Sequence, residues 1–229
     1  MNSVLIIIPA YNEQDNIERV VDNLIENYPE YDYVVVNDGS KDDTKKICKK
    51  RGYHLLDLPV NLGLAGGFQA GMKYAYEMGY DYAIQFDADG QHRAEYVKPI
   101  LDKMQEGYDI VIGSRFVTEK KDTSMRMLGS RLISGAIRLT TGAKIKDPTS
   151  GMRMFNKAMI KECAHKINYG PEPDTVSFLI KNGATIAEVQ VKMDERIAGE
   201  SYLNMANSIK YMFRMLVSIV LIQNFRRRG

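Results

Sequence analysis

The chain has 229 residues, of which 45% are hydrophobic and 26% are charged, so it can form a globular domain with a full core. Its 31 basic and 29 acidic residues leave a formal charge of +2, and this balance excludes a general preference for nucleic acid. Two cysteines without a C-x-x-C pair and three histidines without metal-ligand spacing exclude a disulfide framework and a zinc site.

The first residues lead directly into an apolar strand, which leaves no room for a targeting peptide. Cys48 and Cys163 lie far apart in lysine-flanked, helix-like segments, as expected of reduced thiols. We therefore expect a cytoplasmic protein.

Strands and helices alternate through the first half of the chain. Residues 4–8 form a continuous apolar run, typical of a strand buried on both faces of a parallel sheet. Asn12 is predicted to cap the next helix, whose apolar residues recur at helical spacing from Ile17 to Ile25. Later strands are predicted at residues 33–36, 54–58, 82–86 and 110–112, and later helices run to about Arg51, Gly79 and Glu106. This alternation predicts a parallel sheet with right-handed crossovers.

The second half is less regular. The pattern predicts a helix at 126–141, a structured loop at 147–151, and strands at 152–155 and 185–191. No repeat, low-complexity run or Pro/Gly-rich linker divides the chain. We therefore predict one α/β domain at residues 1–201, with a mostly parallel central sheet flanked by helices.

Residues 202–229 form a separate C-terminal segment in this interpretation. Residues 202–228 contain no proline or glycine, so they are predicted to form one long amphipathic helix of roughly 40 Å. Its apolar run is shorter than the roughly 20 residues that a spanning helix needs. An interfacial helix is favoured, with Arg226 to Arg228 facing anionic lipid headgroups. Packing on the protein body or self-association is the alternative.

Two carboxylates follow the fourth predicted strand, at Asp87 and Asp89, with Ala88 pointing away between them. Both carboxylates can reach one cation, and oxygen ligands suit Mg²⁺ or Mn²⁺. Such an ion would hold phosphates, so the pattern indicates a nucleotide or nucleotide-sugar substrate. An acidic loop that caps a helix is the alternative interpretation.

Polar residues also follow the first two predicted strands, at Tyr11 and Asp38. Ligands of open α/β sheets bind beyond the carboxyl ends of the strands. A base is expected to pack on Pro9 and Tyr11, while Asp38 accepts a hydrogen bond from the base or ribose. The first strand is not followed by G-x-G-x-x-G, and the chain contains no P-loop motif, so a metal must carry the phosphate charge.

Several ordered motifs resemble those of one enzyme family. They lie at residues 9–13 (PAYNE), 37–40 (NDGS), 87–92 (DADGQH), 113–115 (GSR), 131–134 (RLIS), 147–151 (DPTSG) and 195–201 (ERIAGES). The chain is similar to inverting family 2 glycosyltransferases, in the branch of dolichyl-phosphate mannose synthase and its bacterial polyprenyl-phosphate relatives. The resemblance extends from about residue 4 to residue 201 and implies the GT-A (nucleotide-diphospho-sugar transferase) fold.

The resemblance also implies roles for individual residues. The implied nucleotide pocket consists of Pro9, Tyr11, Glu13, Asp38, Asp87 and Ala88. The implied ligands of a Mg²⁺ or Mn²⁺ ion are Asp87, Asp89 and Gln91. The acceptor phosphate and the donor diphosphate would be surrounded by Arg115, Arg131, Ser134 and Arg196. Asp89, Arg115 and Arg131 are then the predicted catalytic residues, and a guanidinium does bind phosphate through two hydrogen bonds.

The implied activity is transfer of a sugar from a nucleotide-sugar donor, with a UDP-sugar favoured, to polyprenyl (undecaprenyl) phosphate. The anomeric configuration would be inverted, as a step of cell-envelope glycan synthesis. A sugar-to-sugar transferase is the alternative, with Asp174 as the catalytic base that deprotonates an acceptor hydroxyl, although Asp174 is also placed to cap a helix. A nucleotidyltransferase is disfavoured because no glycine-rich phosphate loop follows the first strand.

The expected location follows from the acceptor and the C-terminal segment. A lipid acceptor implies a protein that lies peripherally on the inner face of the cell membrane. Related enzymes with a soluble catalytic subunit imply a small membrane-protein partner, and an oligomer contact through the C-terminal helix is the other possibility.

Overall fold

The computed structural model of the protein describes residues 3–166, 170–194 and 205–225. Its strands are β1 (Val4–Ala10), β2 (Asp32–Asp38), β3 (Leu55–Leu58), β4 (Tyr82–Gln85), β5 (Ile110–Ser114), β6 (Arg153–Asn156) and β7 (Ile186–Gln190). Its helices are α1 (Ile17–Asn27), α2 (Thr44–Arg51), α3 (Gly63–Glu77), α4 (Val97–Met104), α5 (Met125–Thr141), α6 (Lys157–His165), α7 (Pro173–Lys181) and α8 (Met205–Val220).

The strands form a sheet in the order β3-β2-β1-β4-β6-β5-β7. Neighbouring strands are parallel, except that β6 runs antiparallel between β4 and β5. The predicted mostly parallel sheet flanked by helices is therefore confirmed. The carboxyl ends of β1, β2, β4 and β5 lie at one edge, so the polar residues that follow these strands meet there.

The position of β1 in the middle of the sheet explains why its sequence is apolar throughout. Leu5 and Ile7 belong to a core formed with α3 and α5 to α8, whereas Ile6 and Ile8 belong to a second core formed with α1, α2 and α4. These four side chains are fully buried. Successive residues of a strand point to opposite faces, so a central strand covered by helices on both faces must be apolar at every position.

The helix after β1 begins later than predicted. α1 starts at Ile17, and Asn12 lies in the preceding loop with a positive φ of 56°. Asparagine tolerates this left-handed conformation better than most residues, because its short side chain can bond to nearby backbone. Here Asn12 Oδ1 accepts the N–H of Lys41 at 2.9 Å. The prediction that Asn12 caps the helix is therefore wrong, and the residue joins the loops after β1 and β2.

The C-terminal helix packs on the body of the protein. α8 ends at Val220 and is followed by a 3-10 turn at Ile222–Asn224, so one continuous helix to residue 228 is not observed. Met215 and Ile219 are buried in the first core, and α8 approaches α5 so closely that a Cβ at Gly129 would overlap the Met212 sulfur. The predicted start at residue 202 and the cluster at 226–228 lie outside the described residues.

Of the helices within the described ranges, none combines the length and the apolarity needed to cross a bilayer.

Candidate active site

The ends of β1 and β2 form one corner of the sheet edge. Asp38 is the last residue of β2, and its Oδ1 accepts the N–H of Leu62 at 2.7 Å. A Cβ at Gly67 of α3 would lie 3.9 Å from the side chains of both Asp38 and Pro9. Pro9 and Asp38 therefore both lie against the first part of α3, and Tyr11, the first residue after β1, is 41% exposed.

Hydrogen bonds connect the loop after β1 to the loop after β2. The N–H of Asn12 donates to Ser40 Oγ at 3.0 Å, and the N–H of Glu13 donates to Thr44 Oγ1 at 2.8 Å. The Glu13 carboxylate in turn accepts the Asn16 side-chain amide at 2.9 Å. In this structure Glu13 therefore orders the entry to α1, close to the predicted nucleotide pocket.

Two hydrogen bonds fix Asp87, which lies two residues after the end of β4. Its Oδ1 accepts the Gln85 amide at 3.2 Å, and its backbone N–H donates to His92 Nδ1 at 2.9 Å. Because Nδ1 accepts, the neutral His92 ring carries its proton on Nε2, which lies 3.5 Å from Asp87 Oδ2. His92 is buried against Phe86. The Asp87 carboxylate is thus oriented while 37% of its side chain stays exposed.

The rest of this loop presents further oxygen atoms. Asp89 Oδ1 accepts the N–H of Gln91 at 3.0 Å, and the Gln91 amide donates to the Asp194 carbonyl at 3.4 Å. Gly90 between them has a φ of 78°, and a Cβ there would lie 2.2 Å from the Arg19 guanidinium. Glycine is therefore favoured at position 90 by the left-handed backbone of the turn, and the Arg19 guanidinium lies against it.

Ala88 differs from its neighbours because its side chain is buried in the second core. If Ala88 lines the predicted nucleotide pocket, it can do so only through its backbone atoms.

The donor atoms of this loop fit Mg²⁺ or Mn²⁺. Asp87, Asp89 and Gln91 offer two carboxylates and a carboxamide oxygen, and these hard oxygen ligands are the ones that both ions prefer. Within the described ranges, no three His, Cys, Asp or Glu side chains converge on a metal site. An ion here would therefore complete its coordination with water and substrate oxygens, as is usual for Mg²⁺ at phosphate sites.

Arg115 is fixed at the end of β5 by a buried carboxylate. Its Nε and Nη2 donate to Asp147 Oδ2 and Oδ1 at 2.7 and 2.9 Å, and its backbone N–H donates to Oδ2 at 3.1 Å. The Asp147 side chain is fully buried. Burial raises the pKa of this carboxyl, but the hydrogen bonds and charge of Arg115 outweigh burial and hold the pKa below its usual range. The pair sets the plane of the Arg115 guanidinium at the sheet edge.

A cavity of about 560 Å³ lies between the β5–α5 loop and α5. It is lined by Phe116, Val117, Thr118, Glu119, Lys120, Lys121, Arg131, Ser134, Ile145 and Lys146. The Arg131 guanidinium donates to the carbonyls of Lys121 and Asp122, and Lys121 Nζ donates to Ser130 Oγ at 2.7 Å. Burial lowers the pKa of the Lys121 ammonium. The predicted Arg131 and Ser134 therefore share a predominantly basic cavity.

Sequence reasoning missed three residues of this site: His92, Lys121 and Asp147. His92 ends the DADGQH motif and Asp147 begins the DPTSG motif, so both stood within recognised patterns but received no role. Lys121 lies in a short charged run, E-K-K-D at residues 119–122, which carries no sign that one lysine is half-buried.

Two further predicted residues are Asp174 and Arg196. Asp174 starts α7 with 7% of its surface exposed, and its Oδ2 accepts the Ser218 hydroxyl of α8 at 2.6 Å. Its backbone carbonyl accepts the Gln223 amide. Asp174 is therefore covered by the C-terminal helix. Arg196 lies outside the described residues, and its role stays a prediction.

Comparison with known proteins gives a consistent set of relatives. The model of the family described as "Glycosyl transferase family 2" matches residues 5–164. The chain is 28% identical to polyprenol monophosphomannose synthase of Mycolicibacterium smegmatis, over 92% of this chain and 84% of that protein. It is 32% identical to UDP-N-acetylglucosamine–dolichyl-phosphate N-acetylglucosaminyltransferase of Methanococcus voltae, over 82% of this chain and 84% of that protein.

A third relative and a solved structure agree with these. The chain is 31% identical to undecaprenyl-phosphate mannosyltransferase of Micrococcus luteus, over 88% of this chain and 87% of that protein. Its fold matches glucosyl-3-phosphoglycerate synthase from Mycobacterium tuberculosis in complex with Mn²⁺, uridine diphosphate and glucosyl-3-phosphoglycerate. The TM-score is 0.69 at 18% identity, over 100% of this chain and 82% of that chain.

Proposed function

The chain belongs to glycosyl transferase family 2, and from this premise we propose that it moves a sugar from a nucleotide-sugar donor to a polyprenyl phosphate. The protein is a glycosyltransferase with the GT-A fold. The observation that carries the choice of acceptor is the basic cavity beside Arg115. Its three lysines and Arg131 outnumber its one acid, Glu119, as a site for an anionic acceptor requires. The names of three relatives point to the same class of acceptor.

The donor is proposed to bind at the corner formed by β1, β2 and β4. Pro9 and Tyr11 pack against the base, and Asp87, Asp89 and Gln91 hold a divalent cation. A bound Mg²⁺ or Mn²⁺ supplies charge stabilisation to the departing diphosphate. The fold neighbour bound to Mn²⁺ and uridine diphosphate supports this arrangement.

Uridine is the favoured nucleoside because of the hydrogen bond at Asp38. Its Oδ1 already accepts the N–H of Leu62, which leaves Oδ2 as the better acceptor for a base. Uracil presents a single N–H between two carbonyls, whereas guanine presents two adjacent donors that suit both oxygens of a carboxylate. A UDP-sugar is therefore the proposed donor.

The acceptor phosphate is proposed to lie between Arg115, Lys121 and Arg131. A phosphate monoester is already an anion near neutral pH, so it attacks the anomeric carbon without a base to deprotonate it. The attack comes from the face opposite the diphosphate and inverts the configuration. The Asp147 carboxylate orients Arg115 for this contact, and Ser134, whose hydroxyl donates to the Ser130 carbonyl at 3.0 Å, lines the cavity beside Arg131.

The sugar-to-sugar alternative depends on Asp174 as a base. That carboxylate is 7% exposed and bonded to Ser218 of α8, and this burial favours the phosphate acceptor. An Asp174→Asn variant that keeps near-normal turnover would agree with a phosphate acceptor. Loss of turnover in a folded variant would favour the hydroxyl acceptor.

The direct test is product analysis. The protein is incubated with Mn²⁺, undecaprenyl phosphate and, in separate reactions, UDP- and GDP-sugars, and the lipids are analysed by mass spectrometry. We expect a polyprenyl-phosphate sugar with the UDP-sugars. Transfer to a sugar hydroxyl alone, with the lipid phosphate untouched, would contradict the proposal.

Lys121→Met is expected to raise the KM for polyprenyl phosphate by about 10- to 100-fold and to leave the KM for the donor near its original value. The reason is the loss of one charge-assisted hydrogen bond, about 1.5–3 kcal/mol. Steady-state kinetics with each substrate varied in turn measure both constants. The exposed Lys161→Met on α6 serves as the control. An unchanged KM for polyprenyl phosphate would show that Lys121 does not bind the acceptor.

A membrane surface is proposed beside this cavity. α5 and α8 pack side by side, and their outer faces expose large apolar side chains, namely Leu128, Leu132, Leu139, Phe213 and, in the turn after α8, Leu221, Ile222 and Phe225. An acceptor whose chain is buried in a bilayer must reach the cavity from that bilayer. The apolar faces are therefore proposed to lie in the headgroup region.

Replacing Phe213 and Phe225 together by serine is expected to weaken binding to phosphatidylglycerol vesicles by about a hundredfold or more. The two rings are 70% and 85% exposed, and each contributes about 1.5–3 kcal/mol when buried in lipid. Co-sedimentation with vesicles measures the partition. Met78→Ser, at an exposed turn after α3, is the matched control. Equal partition of the double variant and the parent would place the membrane contact elsewhere.

A further inference from the structure

Arg153 is an arginine buried inside the sheet edge, and the reaction described above does not use it. It opens β6, the antiparallel strand between β4 and β5, with 1% of its surface exposed. Its Nη1 donates to the Pro171 carbonyl at 2.6 Å and its Nη2 donates to the Pro148 carbonyl at 2.8 Å. Both acceptors are neutral, although burying a charge is costly without close compensation. The burial of this charged side chain therefore calls for a structural or functional explanation.

The carbonyls of Pro148 and Pro171 belong to two different loops, which contact different parts of the protein. Pro148 follows Asp147, whose carboxylate holds Arg115. Pro171 precedes the segment that α8 covers, where Arg214 pairs with Glu172 at 3.1 Å and Ser218 bonds to Asp174. One guanidinium therefore ties the Arg115 loop to the segment below the C-terminal helix.

A third connection leads to Asp87. Arg153 and Gln85 are direct partners across the β4–β6 ladder, so their side chains share one face of the sheet. Within the described part of the chain, Arg153 Nε and Gln85 Oε1 are both buried and without a hydrogen-bond partner. The two atoms are not hydrogen-bonded to each other, so the link from Arg153 to Gln85 is the side-by-side placement of their side chains across the ladder. The Gln85 amide in turn donates to Asp87 Oδ1.

We propose that Arg153 is a positioning residue that sets Asp87, through Gln85, and Arg115, through the Pro148 loop, at a fixed separation from the segment at 171–174. The proposal rests on the proposed function, since Asp87 belongs to the donor side and Arg115 to the acceptor side. Asp87, Asp147 and Glu172, each from a different one of these elements, also provide the negative charge that favours the buried guanidinium.

The test compares Arg153→Lys with the parent protein. Lysine keeps the charge but cannot reach two carbonyls and Gln85 at once. We expect a folded variant whose binding of UDP in the presence of Mn²⁺, measured by calorimetry, is weakened about tenfold, and whose kcat falls about 10- to 100-fold. The KM for polyprenyl phosphate is expected to rise as well, because the Pro148 loop no longer holds Arg115 in its position. Arg51→Lys, at an exposed ion pair with Asp22, is the control.

A purely structural role would lower the melting temperature and leave kcat and the Mn²⁺-dependent binding of UDP unchanged, and this result would overturn the proposal. If the lysine variant does not fold, Gln85→Met is the second test of the proposal. This variant removes the hydrogen bond from Gln85 to Asp87 and leaves the two hydrogen bonds from Arg153 to the backbone carbonyls. We expect that variant to bind UDP and Mn²⁺ about tenfold more weakly. Parent-like binding would refute the link. Because binding is measured without acceptor, this result is separate from failure of the parent to make a lipid-linked sugar.

Discussion

Replacing Asp89 with asparagine is expected to lower kcat/KM for sugar transfer by about 10²- to 10³-fold, the loss typical of removing one group that stabilises charge in a transition state. Asp89 follows β4, is 5% exposed, and accepts the Gln91 N–H through Oδ1. Asparagine keeps the shape and this bond but loses the charge that attracts a divalent ion. The measurement is UDP release against donor concentration at several Mn²⁺ concentrations.

Asp102→Asn is the control for this experiment. Asp102 is an exposed carboxylate on α4 that pairs with Lys98, so its loss removes the same charge far from the sheet edge. We expect parent-like kinetics for that variant. Retention of full turnover by Asp89→Asn, without a higher requirement for Mn²⁺, would refute a metal-binding role of Asp89.

Asp147→Asn is expected to lower the free energy of unfolding by about 3–5 kcal/mol, the usual cost of removing one partner from a buried ion pair. The Arg115 side chain is 20% exposed, so it would retain most of its burial while losing its charged partner. Turnover is also expected to fall, since Arg115 would no longer be held in one plane. Urea denaturation followed by circular dichroism measures the stability.

The effect of Asp147 on stability has a definite pH dependence. Its pKa in the folded protein lies below the ordinary value of 3.8, so the carboxylate stabilises the fold above that value. The contribution is lost as the pH falls through the folded pKa. The difference between the parent and Asp147→Asn should therefore be full near neutral pH and shrink below about pH 4. A difference that stays constant to lower pH would show that the Arg115–Asp147 pair does not stabilise the fold in this way.

The placement of Asp38, Asp87 and Asp89 at one edge of the sheet could be predicted from the sequence for a simple reason. Asp38 ends β2, Asp87 and Asp89 come shortly after β4, and parallel strands have their carboxyl ends at the same edge. Strand position along the chain was therefore enough to gather these three residues. The roles of Asp87 and Asp89 as metal ligands stay a prediction.

The partners that orient the site could not be predicted in the same way. Arg115 and Asp147 are 32 residues apart, and Arg153 reaches Pro171 across 18 residues, so each pair depends on how the strands are ordered. Residues 152–155 were predicted as a strand, but a short apolar run does not reveal its direction. For α6, which packs against α3, the sequence indicates only a helix-like segment around Cys163 and gives no bounds.

The reversed strand β6 has a geometric consequence for the reaction. It separates the carboxyl ends of β4 and β5 by two strand spacings, about 10 Å. Asp87 extends from one side of this gap and Arg115 from the other, and the loop that enters β6 lies between them, with Gly151 against the Asp87 carboxylate. The width of the gap is set by backbone hydrogen bonds rather than by side chains. Substitutions of side chains at this edge are therefore expected to leave the separation of β4 and β5 unchanged.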